Sequence, residues 1–162
     1  MSGSRKRDKP MLAGHIGWLQ ARRGEKSAPE GGFLRMHTVL IVDDEPLIRW
    51  AVREVLEDAG YSTLEAGSAR EALNHLQNGH KDGVSVALLD LRLPDSDDLT
   101  LLRRVRDLVP QCQVIMMTAH GTPELMAQAM TAGAFSTISK PFDLARLVGL
   151  VGESLSPSVP QS

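Results

Sequence analysis

The sequence is short of several things, and each shortage removes a class of protein. It has one cysteine, Cys112, so no intrachain disulfide can staple it and a small secreted scaffold is excluded. It has six aromatic residues, Trp18, Phe33, Trp50, Tyr61, Phe135 and Phe142. So few rings do not make a base-stacking platform for nucleic acid. No apolar run approaches the roughly 18 residues that a membrane-spanning helix needs. The first residues are basic, but no apolar stretch of about 7–15 residues follows, so a secretory signal is not expected. A Gly-rich phosphate loop and a G-x-G-x-x-G are both missing, so nucleotide binding is not indicated.

Net charge is also scarce: 18 basic and 20 acidic residues in 162 leave −2. That average hides two unlike pieces. Residues 1–36 hold eight basic and three acidic residues, a net of +5. They are rich in Gly, Ser and Pro and show no sustained period, which predicts a mobile tail, with a turn or two of helix near Leu12–Arg22. Short basic tails of this kind are usually just solvated. Met36, directly before the first apolar run, is a candidate natural start. Residues 37–155 hold ten basic and seventeen acidic residues, a net of −7. Residues 156–162, SPSVPQS, are uncharged with two prolines and read as a short frayed tail.

The middle piece, about 119 residues, is long enough for one core. Apolar runs at 38–43, 61–66, 84–90, 113–118 and 135–139 read as strands buried on both faces. Between them apolar residues recur at helical spacing. Pro46 and Gly60 bracket the first helix. Ser68 and Glu71 form a capping box for the second, which Gly79 stops. Leu99, Leu102, Val105 and Leu108 mark the third, closed by Pro110. Thr122-Pro123-Glu124 opens the fourth, which ends at Gly133, and Asp143 caps the fifth. The pattern is (βα)₅. It predicts an α/β, doubly wound, flavodoxin-like open parallel sheet of order 2-1-3-4-5.

In such a sheet the ligand crevice lies beyond the carboxyl ends of the strands, where the order switches. The strands here end in Asp43-Asp44, Asp90, Thr118 and Lys140, so these groups converge on one rim. Clustered carboxylates repel one another and call for a hard cation, Mg²⁺ by preference. A carboxylate can attack phosphorus to give an acyl phosphate. A cation and a lysine can then neutralise the transferring group.

At this point the segments VLIVDDEP (39–46), LLDLRLPDSD (88–97), VIMMTAHGTPE (114–124) and GAFSTISKPFD (133–143) resemble the receiver domain of two-component response regulators. The resemblance is strongest to receivers of the nitrogen-regulation type. It implies that Asp90 is the phosphoacceptor. Asp43 and Asp44 would hold Mg²⁺ together with Asp90 and the backbone carbonyl of Arg92. Thr118 would be the switch hydroxyl and Lys140 would pair with phosphoryl oxygens, with a cis bond to Pro141. Arg92 and His120 would sit at rim positions that tune phosphoryl lifetime. The resemblance further implies a cytoplasmic protein without enzymatic activity beyond its own phosphoryl transfer. Its partners would be a sensor histidine kinase or histidine phosphotransfer protein, and a downstream protein or second copy at the helix 4–strand 5–helix 5 face. Direct DNA or membrane contact is not expected, and the chain reads as a stand-alone receiver.

Two positions depart from the family pattern. An aromatic often stands three residues before the lysine; here it is Thr137, with Phe135 on the same strand face as a substitute. Asp98 replaces a frequent glycine and predicts an altered loop. Thr137 supports a rival reading, a pseudo-receiver that acts as a phosphorylation-independent interaction module. A phosphohydrolase is a third reading, but it wants a second Asp where Arg92 stands. The remaining polar residues have plainer readings. Asp95, Asp97 and Asp98 suit loop and capping chemistry. His15, His37, His75 and His80 suit the surface, and so do Arg103, Arg104 and Arg106. Met116, Met117 and Cys112 suit the core.

Overall fold

Successive residues of a strand face opposite ways, and here both ways are apolar. Helices are therefore needed on both sides of the sheet. A computed structural model describes residues 36–157. Along them run β1 (Thr38–Val42), α1 (Pro46–Asp58), β2 (Ser62–Ala66), α2 (Ala69–His75), β3 (Val84–Asp90), α3 (Thr100–Leu108), β4 (Gln113–Thr118), α4 (Pro123–Thr131), β5 (Ser136–Ser139) and α5 (Leu144–Leu155). All strand pairs are parallel, in the order β2-β1-β3-β4-β5. This is the predicted (βα)₅ topology. The readings for residues 1–35 and 158–162, including the turn near Leu12–Arg22 and His15, lie outside the described residues.

Two apolar layers flank the sheet. Val39, Ile41, Val86, Leu88, Ile115, Met117 and Ile138 face Val52 and Leu56 of α1 and Leu147 and Val151 of α5. Leu40, Val42, Ala87, Leu89, Val114 and Met116 face α2, α3 and α4 through Ala72, Leu102, Val105 and Ala129. Fully burying one such Leu or Ile side chain contributes about 1.5–3 kcal/mol. A one-residue register slip would exchange the two layers against helices that do not match them. Met116, Met117 and Cys112 are buried as expected.

The local signals are largely as read, with informative differences. The capping box is displaced by one residue. Ser68 Oγ accepts from the Glu71 N–H at 3.1 Å, but Glu71 Oε2 reaches past Ser68 to the Gly67 N–H at 2.8 Å. Gly79 does not end a regular helix: α2 ends at His75 and widens into a π turn over Leu76–His80, with Gly79 at φ +100°. Tyr61 and Phe135 precede their strands, which begin at Ser62 and Ser136. Arg106 is half-buried, not a solvated arginine. Its Nη1 donates to the carbonyls of Pro110 at 2.9 Å and Cys112 at 2.8 Å, closing the C-terminal end of α3. His37 and His75 are half-buried: His37 Nδ1 pairs with Ser85 Oγ at 2.9 Å and His75 Nε2–H donates to the Glu65 carbonyl at 2.9 Å.

Candidate functional site

The switch in strand order lies between β1 and β3, and both strands end in aspartate. Val42 pairs in register with Leu89, so Asp43 and Asp90 leave the sheet side by side. On the far side Asp90 pairs with Met117, and Thr118 pairs with Ser139. The next residue, Lys140, donates its backbone N–H to the Thr118 carbonyl at 2.8 Å. Its peptide bond to Pro141 is cis. The sheet thus delivers all four groups to one rim.

The charges there are packed tightly. Asp43, Asp90 and Thr118 are buried. Lys140 Nζ donates to Asp43 Oδ2 at 2.6 Å and to Asp90 Oδ2 at 3.1 Å, with its side chain only 9% exposed. The other carboxylate oxygens are also occupied. Asp43 Oδ1 accepts from the Glu45 N–H at 2.9 Å and Asp90 Oδ1 from the Arg92 N–H at 3.1 Å. Burial raises the Asp90 carboxyl above its ordinary range, against the lowering pull of the Arg92 N–H and the Lys140 ammonium. Burial alone would lower Lys140, but its hydrogen bonds to Asp43 and Asp90 outweigh that and raise it. The ammonium sits between two acids that would otherwise repel each other.

Asp43, Asp44 and Glu45 each offer a carboxylate oxygen, all within 4.8 Å of one another. Such an all-oxygen anionic set fits a hard divalent cation. Asp43 is buried while Asp44 and Glu45 face solvent, which leaves an open side for water and substrate. Sequence reasoning misses Glu45. Its place directly after two rim acids is the available signal. It also approaches Lys140 Nζ, at 3.7 Å.

Thr118 Oγ1 accepts from the His120 N–H at 3.2 Å, and the side chains of Arg92 and His120 are exposed at the rim. Gly121 has a steric role: a Cβ there would stand 2.7 Å from Thr118 Cγ2. Thr137 lines a small apolar pocket with Thr118, Gly121 and Met126. Phe135 does not reach it. Phe135 lies before the N-terminal end of the short strand β5 and is 37% exposed, so it cannot take the place of an aromatic at 137.

The loop after β3 explains the other acids. Leu93 and Ser96 exchange backbone hydrogen bonds across Pro94-Asp95, a tight turn with proline at its second position. Asp95 at its tip accepts from the Ala69 N–H at 2.9 Å and the Arg70 N–H at 3.0 Å. It therefore caps α2 from 25 residues away, and those two N–H groups lower its carboxyl. Asp98 Oδ1 accepts from the Thr100 N–H at 2.9 Å and opens α3. The capping reading of this cluster is the observed one for Asp95 and Asp98.

Comparison with known proteins agrees with this geometry. Residues 39–152 match the family model described as the response regulator receiver domain. The DNA-binding transcriptional regulator NtrC of Klebsiella pneumoniae is 38% identical over 116 residues, 72% of this chain but 24% of that protein. This chain thus spans about a quarter of the NtrC regulators that it matches. Sporulation initiation phosphotransferase F of Bacillus subtilis is 33% identical over 106 residues, 65% of this chain and 83% of that protein. Among solved structures, a CheY-like receiver domain protein of Methanospirillum hungatei superposes with a TM-score of 0.69 at 32% identity, covering 74% of this chain and 94% of that one. The CheX-CheY-BeF3-Mg²⁺ complex of Borrelia burgdorferi gives 0.70 at 26% identity, covering 75% and 90%. This chain belongs to the receiver family of two-component response regulators.

Proposed function

We propose that residues 37–155 form a receiver unit that accepts a phosphoryl group on Asp90 from a phosphohistidine. The observation that carries this is the Lys140 ammonium lodged between Asp43 and Asp90, at 2.6 and 3.1 Å, on the rim where the strand order switches. One Asp90 oxygen attacks phosphorus, the P–N bond of the donor breaks, and an acyl phosphate remains. Lys140 moves its donors from Asp90 to a phosphoryl oxygen, and Thr118 turns its hydroxyl toward another. Asp43, Asp44 and Asp90, with the carbonyl of Arg92, would hold Mg²⁺, which supplies positive charge to the transferring oxygens. Exposed Arg92 and His120 limit the approach of the water that later hydrolyses the acyl phosphate. Catalysis is confined to this transfer and the slow hydrolysis of the acyl phosphate, which returns the Asp90 carboxylate and releases inorganic phosphate.

The partners in this reading are a sensor histidine kinase or a histidine phosphotransfer protein. The signal leaves by protein contact, with a downstream target or a second copy, through α4, β5 and α5, with Thr137 in place of an aromatic. The setting is cytoplasmic, and among the described residues no helix is long and apolar enough to cross a membrane. Two relatives support the reading: the Bacillus protein is named a phosphotransferase, and the Borrelia CheY complex contains Mg²⁺ and BeF3. The test is incubation with acetyl phosphate and Mg²⁺. One phosphoryl mass is gained by the wild type and none by Asp90→Asn. A wild-type chain that neither gains mass nor binds Mg²⁺ would be a pseudo-receiver, and sustained turnover of phosphate monoesters would make it a hydrolase.

A further inference from the structure

Asp43 is the last point at which β1 still governs the chain. Its backbone N–H donates to the Ala66 carbonyl at 3.1 Å. Its own carbonyl has left the strand ladder and is held by a side chain: Arg49 Nη1 donates to it at 2.6 Å. Arg49 stands one turn into α1, where its backbone N–H reaches the Glu45 carbonyl at 3.1 Å. Its guanidinium is held from behind by Glu65 of β2, with Nε 3.6 Å from Oε1. Glu65 is itself fixed by Arg53 Nη1 at 3.0 Å. Gly67 leaves room for the fork, since a Cβ there would lie 3.2 Å from Nη1 and 3.7 Å from Cζ of Arg49.

We propose that Arg49 is a positioning residue for the acidic pair, fixing the Asp43–Asp44 peptide plane so that both carboxylates serve one cation. This rests on the reading of Asp43 and Asp44 as Mg²⁺ ligands. The peptide between them has one soft degree of freedom, its tilt, and Arg49 restrains it through the carbonyl oxygen. Glu65 orients Arg49, and Gly67 gives it clearance. None of these three residues belongs to the carboxylate group that would hold the cation.

Charge alone has the opposite sign. A guanidinium held on the Asp43 carbonyl repels a divalent cation on the adjoining carboxylates, so its removal would tighten Mg²⁺ binding if electrostatics were its only effect. Positioning predicts weaker binding, because outer partners of metal ligands typically govern about 10–100-fold in affinity.

The test is calorimetric Mg²⁺ titration of the full chain as wild type, Arg49→Ala, Glu65→Gln and Gly67→Ala. Arg49→Ala should bind roughly tenfold more weakly. Glu65→Gln should fall between it and the wild type. Gly67→Ala keeps every charge, Gly67 has no positive φ that would strain an alanine, and the added Cβ would press on Arg49 Nη1 at 3.2 Å while meeting Glu71 Oε2 at an ordinary 3.7 Å, so a several-fold loss there reports displacement of the fork. At saturating Mg²⁺ the rate of acetyl phosphate labelling should return to the wild-type value in all three, which a general loss of folding would not allow. Mg²⁺ binding unchanged or tighter in both Arg49→Ala and Gly67→Ala overturns the inference and leaves the metal reading intact. No Mg²⁺ heat in the wild type overturns both. Should Arg49→Ala not fold, Gly67→Ala alone decides.

Discussion

Replacing Lys140 by methionine keeps the length of the side chain and removes its charge. The structure sets the size of the effect. The ammonium donates to two buried carboxylates, Asp43 and Asp90, and its own side chain is nearly buried. Removing one partner from a buried charge cluster costs about 3–5 kcal/mol. The rim is open on the side of Asp44 and Glu45, so we expect the lower end, about 3 kcal/mol, or a fall in melting temperature of roughly 10 °C. The pH dependence identifies the cause. Asp90 is already raised by burial, and Lys140 is one of the groups pulling it down. Without Lys140 the folded-state value rises further. A carboxyl raised on folding favours the fold below its unfolded pKa and disfavours it as pH climbs through the folded value. The deficit should therefore be full near pH 7.5 and shrink as the pH falls toward 5. At the alkaline end the wild type should approach the variant. Lys140 is raised on folding, so its contribution is complete below its ordinary 10.5 and is lost as pH passes the folded value.

Mg²⁺ supplies a second control. An ion bound only by the folded state at about one hundred times its Kd adds about 2.7 kcal/mol. That gain should be larger in Lys140→Met, where no ammonium competes for the same oxygens. The assay is urea unfolding at pH 5 and 7.5, with and without Mg²⁺, and at rising pH above 10.5, where the Lys140 contribution is lost. A deficit equal at pH 5 and pH 7.5 and indifferent to Mg²⁺ would refute the electrostatic reasoning and assign the loss to packing. A variant as stable as the wild type at pH 7.5 would refute it outright.

Two further outcomes follow from single side chains. Asp95→Ala should destabilise by about 1 kcal/mol, as loss of a helix N-cap does, with Asp95→Asn close to the wild type; urea unfolding measures this, and the Ala69 and Arg70 amides should exchange faster in the alanine variant. Burial pushes the Cys112 thiol up to about 12, so mass spectrometry should show almost no alkylation of the native chain at pH 8 and rapid alkylation in urea. The same shift predicts a loss of stability that begins near an unfolded thiol value of about 8.5 and continues toward the folded one, absent in Cys112→Ala.

The sheet was legible because its signals are local and repeated. Val84–Asp90 and Gln113–Thr118 are apolar runs bounded by turn residues, and the runs coincide with the strands to the residue. Thr122 and Asp143 were legible as caps for the same reason, since each bonds a backbone N–H within three residues, at 3.2 and 2.7 Å. The boundaries that slipped are those where a neighbour overrides the local signal. Phe135 is β-prone, but its N–H donates to the Val114 carbonyl at 2.7 Å from outside the strand. Gly79 is a good helix stop, yet the helix widens before it.

The rim residues were legible by one inference further: parallel strands of a switched sheet bring their last residues together, so Asp43, Asp90, Thr118 and Lys140 could be grouped across 97 positions. The residues around them could not, because their partners are chosen by how loops meet and not by period. Asp95 looks like any loop acid until the β3–α3 turn is folded against α2. Arg49 looks like one more exposed helix arginine until α1 is laid beside the end of β2. Then its guanidinium has a single carbonyl to satisfy, one that the β-ladder has just released. Asp90 ends β3 while still paired with Met117, but Asp43 stands one residue past the end of β1, and its carbonyl needs a partner outside the ladder. Something nearby must donate to that oxygen. In this chain that donor is an arginine one turn into the helix that follows, and through the Asp43 carbonyl it bears on the geometry of carboxylates with which it forms no ion pair.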